Sequence, residues 1–466
     1  DEKVASSLME RAKSEWERST GLFQFANQLN DDFNPIDKID FIICVFEVAY
    51  ADGKLHYLEH HTIKKIANIL IHDIAPNYEN RNGGYTRLVK INNRKNDNAP
   101  VSMLEFVDIT PEINEVDDAV HQVVKEGNLS TFNCPEEVYL AERLVELHPW
   151  ADMVRLARSG GEANSIAIRI ARAASGRDKV AVCGYHGWQD WYIGSTTRDF
   201  GVPKAVKELT HKFEYNNIES LEKIFHEQEL ACVIMEPMNV EYPQDNFLEK
   251  VKALVHKNDA LLIFDETITG FRYSLGGAQE LFNVMPDIAT FGKGMANGYP
   301  LSAVVGGNEI MQKVEDIFFS GTFGGETLSL AAANTVIDKY KKDNVPKYLN
   351  DLGNYLLKKL NQLIINEGLD DIFRTSGHPA WSFLQVKAQD KYTALEIKTL
   401  FLQEMFKNGI LILSSHNLNF SHSEEDIDKL ISVYSEVLPL IKQSIDDGNL
   451  IEQLNCKPLQ PLFQVR

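Results

Sequence analysis

Two hydrophobic rhythms divide the chain. Over residues 1–70, "VASSLMERAKSEWERST", "PIDKIDFIICVFEVAYA" and "YLEHHTIKKIANIL" place apolar residues at helical spacing and predict a small all-helical domain. From about Ile74 the rhythm becomes strand alternation. "YTRLVKI" and "VSMLEFV", separated by the polar "NNRKNDNAP" and preceded by the turn residues Asn82, Gly83 and Gly84, predict a β-hairpin within 71–108. From about Ile109, short β-rich runs ("DKVAVCG", "LACVIMEP", "ALLIFDET", "DIATFG") alternate with helices such as "EANSIAIRIARAAS" and "NFLEKVKALVHKND". That order predicts an α/β fold over 109–340, a mostly parallel sheet with helices on both faces. After Ala380, "WSFLQVKA", "ALEIKTLFLQEMFKNG" and "ILILSS" predict strand, helix and strand, the centre of a smaller α/β domain over 341–466.

Composition narrows the class. With 466 residues and 44% hydrophobic content the chain can bury a large core, and its length suits two to four domains. Acidic residues outnumber basic ones, 67 to 47, for a net charge of -20, which argues against a general affinity for nucleic acid or anionic membrane. The five cysteines are widely spaced and include no C-x-x-C pair, so neither a disulfide framework nor a structural zinc site is expected. No apolar run approaches the ~20 residues of a spanning helix. The first twenty residues lack the order of a signal peptide, so a cytoplasmic protein is expected.

Three motifs in the α/β segment carry chemistry, each at a strand end or helix start, where open α/β sheets bind ligands. In "RSGGEANSIAIRIARAA", Ser159, Gly160 and Gly161 precede a helix, so backbone N–H groups and the helix dipole present a phosphate site. Taken alone that signal is weak. In "LLIFDETITGFR", Asp265 closes a buried strand, where a lone carboxylate is costly unless it meets a cation. In "ATFGKGMANGYPLSAVVGG", Lys293 stands between two glycines at the end of the next strand. A solvated lysine needs no such setting. An amine, a carboxylate and a phosphate cradle at neighbouring strand ends are the three grips that pyridoxal 5'-phosphate requires.

The same stretches, with "SGTFGGETLSLAAA", resemble the class III aminotransferases of fold type I, and within them the glutamate-1-semialdehyde 2,1-aminomutases, from about Ile109 onward. The resemblance implies an enzyme with Lys293 as the Schiff-base lysine and Asp265 as partner of the cofactor's ring nitrogen. It further implies Ser159, Gly160 and Gly161 at the phosphate, and Tyr185, His186 and Thr267 around the ring. Thr322 would reach the phosphate of a neighbouring subunit, so a homodimer acting on a small amino, keto or amino-aldehyde substrate is expected. Two departures stand out: Thr267 replaces the family's usual valine, and "GGET" replaces its S-G-N-P. The family's strand-rich leading arm, with its arginine for the substrate carboxylate, is not recognisable ahead of Ile109.

Two further resemblances lie in front. "AYADGKLHYLEHH" is similar to the tellurite-resistance TerB-like helical domains, with Asp52 and Glu59 either forming a turn and cap or holding a metal ion. "RNGGYTR" and its surroundings resemble a fragment of the seventeenth protein of the large bacterial ribosomal subunit, which would make Arg81, Arg87, Lys90, Arg94 and Lys95 RNA contacts. The acidic remainder of the chain favours a solvated hairpin instead. Two rival readings follow: a non-catalytic ribosome- or nucleic-acid-associated fusion, and an artificial composite of three proteins.

Overall fold

A computed structural model describes residues 115–128 and 133–460, together with the backbone of 87–93 and 100–105. The chain divides into two units, Asp1–Asn114 and Glu115–Arg466. In the first, strand β1 (Arg87–Asn93) pairs antiparallel with β2 (Pro100–Glu105), Arg87 opposite Glu105, with a register shift between Lys90 and Asn92. The two alternating runs thus pair as a hairpin. The helices expected within 1–70, and Asp52 and Glu59 with them, lie outside the described residues.

The second unit is built on a seven-stranded sheet in the order β3-β9-β8-β7-β6-β4-β5. Its strands are β3 (Met153–Ala157), β4 (Lys179–Cys183), β5 (Thr210–Lys212), β6 (Leu230–Met235), β7 (Leu261–Asp265), β8 (Ile288–Phe291) and β9 (Ser302–Gly306). From β5 through β8 neighbouring strands are parallel, whereas β9 runs antiparallel to both β8 and β3. The reversal has a local cause. Only the stretch around the short turn Lys293–Met295 joins β8 to β9, too little chain for the crossover helix that a parallel return requires.

Burial follows the strand period. Val180 and Val182 face one side of the sheet with Ile234, Ile263 and Val304, beneath the Ile166 and Ile170 face of a helix whose range is Gly160–Ser175. Ala181 and Cys183 face the other side with Val233, Met235, Leu262 and Phe264, under the helices Ile218–Glu227 and Phe247–Lys257. All six residues of β6 are buried, as expected of a central strand covered on both faces. In chain order the longer helices are α1 (Glu115–Glu126), α2 (Pro135–Leu147), α3 (Gly160–Ser175), α4 (Ile218–Glu227), α5 (Phe247–Lys257), α6 (Thr327–Asp343), α7 (Val345–Asn366), α8 (Ala394–Lys407) and α9 (Glu424–Asp446).

A second sheet, β10 (Phe373–His378), β11 (Trp381–Val386) and β12 (Ser415–Asn417), is antiparallel throughout. It packs with α7, α8 and α9 around Leu360, Phe373, Phe401 and Tyr434. The last two helices open with capping boxes, Thr393 with Glu396 and Ser423 with Asp426. The expectation for "ILILSS" is corrected here: the strand begins only at Ser415. Ser414 adopts φ +66, which ends an extended run, and Leu411 and Leu413 face solvent at 78% and 71% exposure, so no partner strand holds them. Among the described residues no helix is long and apolar enough to cross a membrane.

Candidate active site

Register brings the chemistry together. Pairing of β7 with β8 sets Asp265 opposite Thr290, three residues before Lys293. Asp265 is 4% exposed, yet both its oxygens are used. Oδ2 accepts from Asn164 Nδ2 at 2.7 Å and from His186 Nδ1 at 2.9 Å, and Oδ1 accepts from the Thr267 N–H at 3.1 Å. Burial alone would raise its pKa. The His186 hydrogen bond and charge, with Thr267 behind them, outweigh burial and hold the carboxyl below its usual range. Asn164 is fixed in turn, since its Oδ1 accepts from Thr290 Oγ1 at 2.6 Å and its Nδ2 also reaches the His186 carbonyl.

Helix α3 starts at Gly160, and its cap is internal: Ser159 Oγ accepts the Glu162 N–H. The N–H groups of Gly160 and Gly161 have no partner among the described residues. Side chains approach both glycines closely. A Cβ on Gly160 would lie 2.7 Å from Thr267 Cγ2, and one on Gly161 would lie 2.5 Å from Gln189 Oε1. Gly292 presses on Thr267 from the strand beyond, its would-be Cβ 3.3 Å from the same methyl group. Thr267 therefore sits between the helix start and the lysine turn.

Lys293 adopts φ +40, left-handed backbone that a residue other than glycine holds only when its surroundings enforce it. A Cβ added to the following Gly294 would lie at ordinary contact distance, 3.6 Å from the Gly270 carbonyl oxygen and 3.7 Å from Phe271 Cβ. The Lys293 amine makes no hydrogen bond or ion pair within the described chain. Partial desolvation lowers its pKa, against the pull of Asp265 and Glu236, and Arg272 lowers it further. The structure thus gathers Lys293, Asp265, His186, Thr267, Gly160 and Gly161 at one end of the sheet. Tyr185 stands at the edge of this group, half exposed, its N–H donating to Glu236 Oε2 at 3.0 Å and its ring edge-on to Tyr192.

Thr322 is not among them. It lies exposed in a turn before α6, flanked by the exposed rings of Phe318 and Phe323. The first turn of α6 is already satisfied, by Glu326 accepting from Leu328 and Ser329 and by Asn128 accepting from Thr327. Sequence reasoning missed Asn164, Thr290, Gln189 and Glu236. Asn164 was findable as a polar residue on the apolar face of α3, whereas Glu236 reads as the ordinary end of a strand. Burial raises the Glu236 pKa, and its neighbour Asp265 adds to the effect.

Among the described residues, three buried polar atoms around this space have no hydrogen-bond partner: His186 Nε2, Thr267 Oγ1 and Gln189 Oε1. Buried polar atoms of this kind ordinarily find one. With two unpaired N–H groups at a helix start, an ionised carboxylate and an unpartnered amine, they suit a phosphorylated heteroaromatic aldehyde. Fold and site together define a pyridoxal-phosphate-dependent transferase of fold type I. Solved structures of this class share the fold: a transaminase with PLP bound (TM-score 0.66, 23% identity, 71% of this chain and 83% of that one) and an omega-transaminase from Sphaerobacter thermophilus (0.65, 21%, 77% and 91%). The chain belongs to the class III aminotransferases, whose family model matches residues 110–424. Among curated relatives, a glutamate-1-semialdehyde 2,1-aminomutase of Francisella philomiragia is 34% identical over 350 residues, covering 68% of this chain and 81% of its own. A 3-aminobutyryl-CoA aminotransferase of Cloacimonas acidaminovorans is 31% identical over 344 residues, covering 71% and 82%. Residues 1–74 match the tellurite resistance protein TerB. The family's chemistry is pyridoxal-phosphate-dependent transfer or isomerisation of amino groups.

Proposed function

We propose that this chain transfers or relocates an amino group on a small amino or oxo compound, in the manner of the glutamate-1-semialdehyde aminomutases, with Lys293 as its reactive amine. The observation that carries the reading is the pairing of two opposed environments one strand apart. Asp265 is buried yet kept ionised, and Lys293 is unpartnered with its proton affinity lowered. Pyridoxal phosphate, when bound, supplies an aldehyde for the amine and an electron-accepting ring. Lys293 would bond that aldehyde and, once released, hold and deliver the proton moved at the substrate carbon. Asp265, fixed by Asn164 and His186, would keep a proton on the ring nitrogen.

In the same reading the Gly160 and Gly161 N–H groups, beside Ser159, take the phosphate. Tyr185, His186 and Thr267 line the ring. Thr322 contributes from a second copy across a dimer interface, carried by the exposed Phe318 and Phe323. We take the chain as a helical TerB-like domain over 1–70, a hairpin segment over 71–108, a cofactor-binding domain over 109–340 and a small domain over 341–466. The test is spectroscopic. Purified protein loaded with pyridoxal phosphate should be yellow, and an amino donor should convert the visible band to a near-ultraviolet one that an oxo acceptor restores. Protein that takes up the cofactor but responds to no amine or amino aldehyde would refute amino-group transfer.

A further inference from the structure

We propose that Tyr340 is a positioning residue for Lys293: its hydroxyl holds the lysine turn in the conformation from which the amine meets the cofactor's aldehyde. The inference rests on the amino-transfer reading of this site, in which Lys293 bonds pyridoxal phosphate. Its first ground is where the hydroxyl ends. Within the turn, the Met295 N–H donates to the Gly292 carbonyl at 3.0 Å, and the Ala296 and Asn297 N–H groups donate to that of Lys293 at 3.3 and 3.1 Å. The carbonyl of the next residue, Gly294, accepts from Tyr340 Oη at 3.0 Å, across 46 positions of sequence. A carbonyl only accepts, so the tyrosine donates, and burial raises the Tyr340 pKa and keeps its proton in place. The residue directly after Lys293 is thereby fastened to α6, a helix of 17 residues.

The second ground is strain on both sides of that contact. Lys293 at φ +40 and Phe271 at φ +61 are both left-handed, and for a bulky aromatic residue that backbone is rare and costly. Phe271 is nevertheless 2% exposed, and the Tyr340 ring lies beside it with centroids 6.2 Å apart. Phe291, the last residue of the strand that leads to the lysine turn, meets Phe271 edge-on at 5.8 Å. One side chain therefore reaches both strained segments, its ring on the loop after β7 and its hydroxyl on the loop after β8. The ring is also packed where three apolar clusters meet, beside residues that include Phe291, Leu349 and Val336. Packing fixes where the ring lies, and the hydroxyl adds a directed bond to the turn.

The consequence is chemical. When Lys293 bonds the cofactor, its nitrogen forms a C=N bond to the aldehyde carbon, and the aldehyde oxygen leaves as water with both protons of the neutral amine. The aim of the amine at that carbon then sets how readily the bond forms. Pyridoxamine phosphate, with an amine in place of the aldehyde, occupies the same cradle and needs no bond to Lys293. Loss of the Tyr340 hydroxyl should weaken the first ligand and spare the second.

The rival role for Tyr340 is packing alone. Equilibrium titration of the cofactor-free, full-length protein with pyridoxal phosphate and, separately, with pyridoxamine phosphate distinguishes the two, run on the parent, Tyr340→Phe, Lys293→Ala and the double variant. Tyr340→Phe keeps the ring and removes the donor. It should lose roughly three- to tenfold in affinity for pyridoxal phosphate, the effect of one hydrogen bond, and slow the growth of the visible band, while affinity for pyridoxamine phosphate changes less than about twofold. With Lys293→Ala in place, the same change should alter pyridoxal phosphate affinity less than about twofold, because no amine is left to position. Equal losses for both ligands, no loss for either, or a loss that persists beside Lys293→Ala would overturn the proposal. A parent that binds pyridoxal phosphate without a visible band would refute the amino-transfer reading, and this inference with it.

Discussion

At the scale of single residues, the site works by giving neighbouring carboxyls different surroundings. Asp265 and Glu266 are adjacent and both buried, yet their pKa values move apart. Asp265 meets His186 and Thr267 and stays ionised. Glu266 accepts from Thr269 Oγ1, from the Ala278 N–H at 2.8 Å and from the Gln279 N–H at 2.7 Å, but has no cation, and burial pushes its pKa up to about 7. A carboxyl whose folded pKa exceeds its unfolded one stabilises the fold most when protonated. Its contribution is therefore full below the ordinary 4.5 and is lost as pH rises to about 7, a change of about 3 kcal/mol. Glu266→Gln removes that titration. The melting temperature of the parent should fall relative to that of Glu266→Gln as pH rises from 5 to 7.5, and a difference constant across that range would show that Glu266 titrates normally.

The lysine and the aspartate were legible in the sequence because each breaks its setting: a charge at the end of an apolar run, and an amine flanked by glycines. Their partners were not. Asn164, Thr290 and Gln189 are ordinary polar residues whose roles arise from strand register and from the close packing of Gly160, Gly161 and Thr267. Arg272 was quoted within a motif but given no role, and only the folded chain shows that it donates to the Ala380 and Leu418 carbonyls.

At the scale of elements, periodicity read the buried strands well. The runs ending at Cys183, Met235, Asp265 and Phe291 are β4, β6, β7 and β8, and each is buried on both faces, so the apolar run and the strand coincide. Short or edge strands were less legible. β5 is three residues long, and β3 has only Ala157 fully buried. "ILILSS" has the composition of a strand, but Ser414 turns the backbone left-handed before pairing can begin. The antiparallel turn of β9 follows from connection length, which counting residues between β8 and β9 would have revealed.

At the scale of the whole molecule, an apolar segment near the site has no cover within the described chain. Phe318 is 83% exposed and Phe323 58%, on either side of Thr322. Large apolar side chains grouped in this way mark association surfaces. A second copy placed there would cover both rings and bring Thr322 to a neighbouring phosphate site. The loaded protein should sediment as a dimer at micromolar concentration, and Phe323→Asp should shift it toward monomer while loosening pyridoxal phosphate at least about tenfold. A parent that sediments as a monomer and still holds the cofactor tightly would contradict the role given to Thr322.

The central claim is that Lys293 is the amine that bonds the cofactor. Borohydride reduction of the loaded full-length protein, followed by peptide mass spectrometry, tests it most directly. The account predicts a single modified site, a pyridoxyl phosphate group on the peptide containing Lys293, and loss of that label in Lys293→Ala. Label on another lysine, or none in protein shown to contain the cofactor, would contradict it.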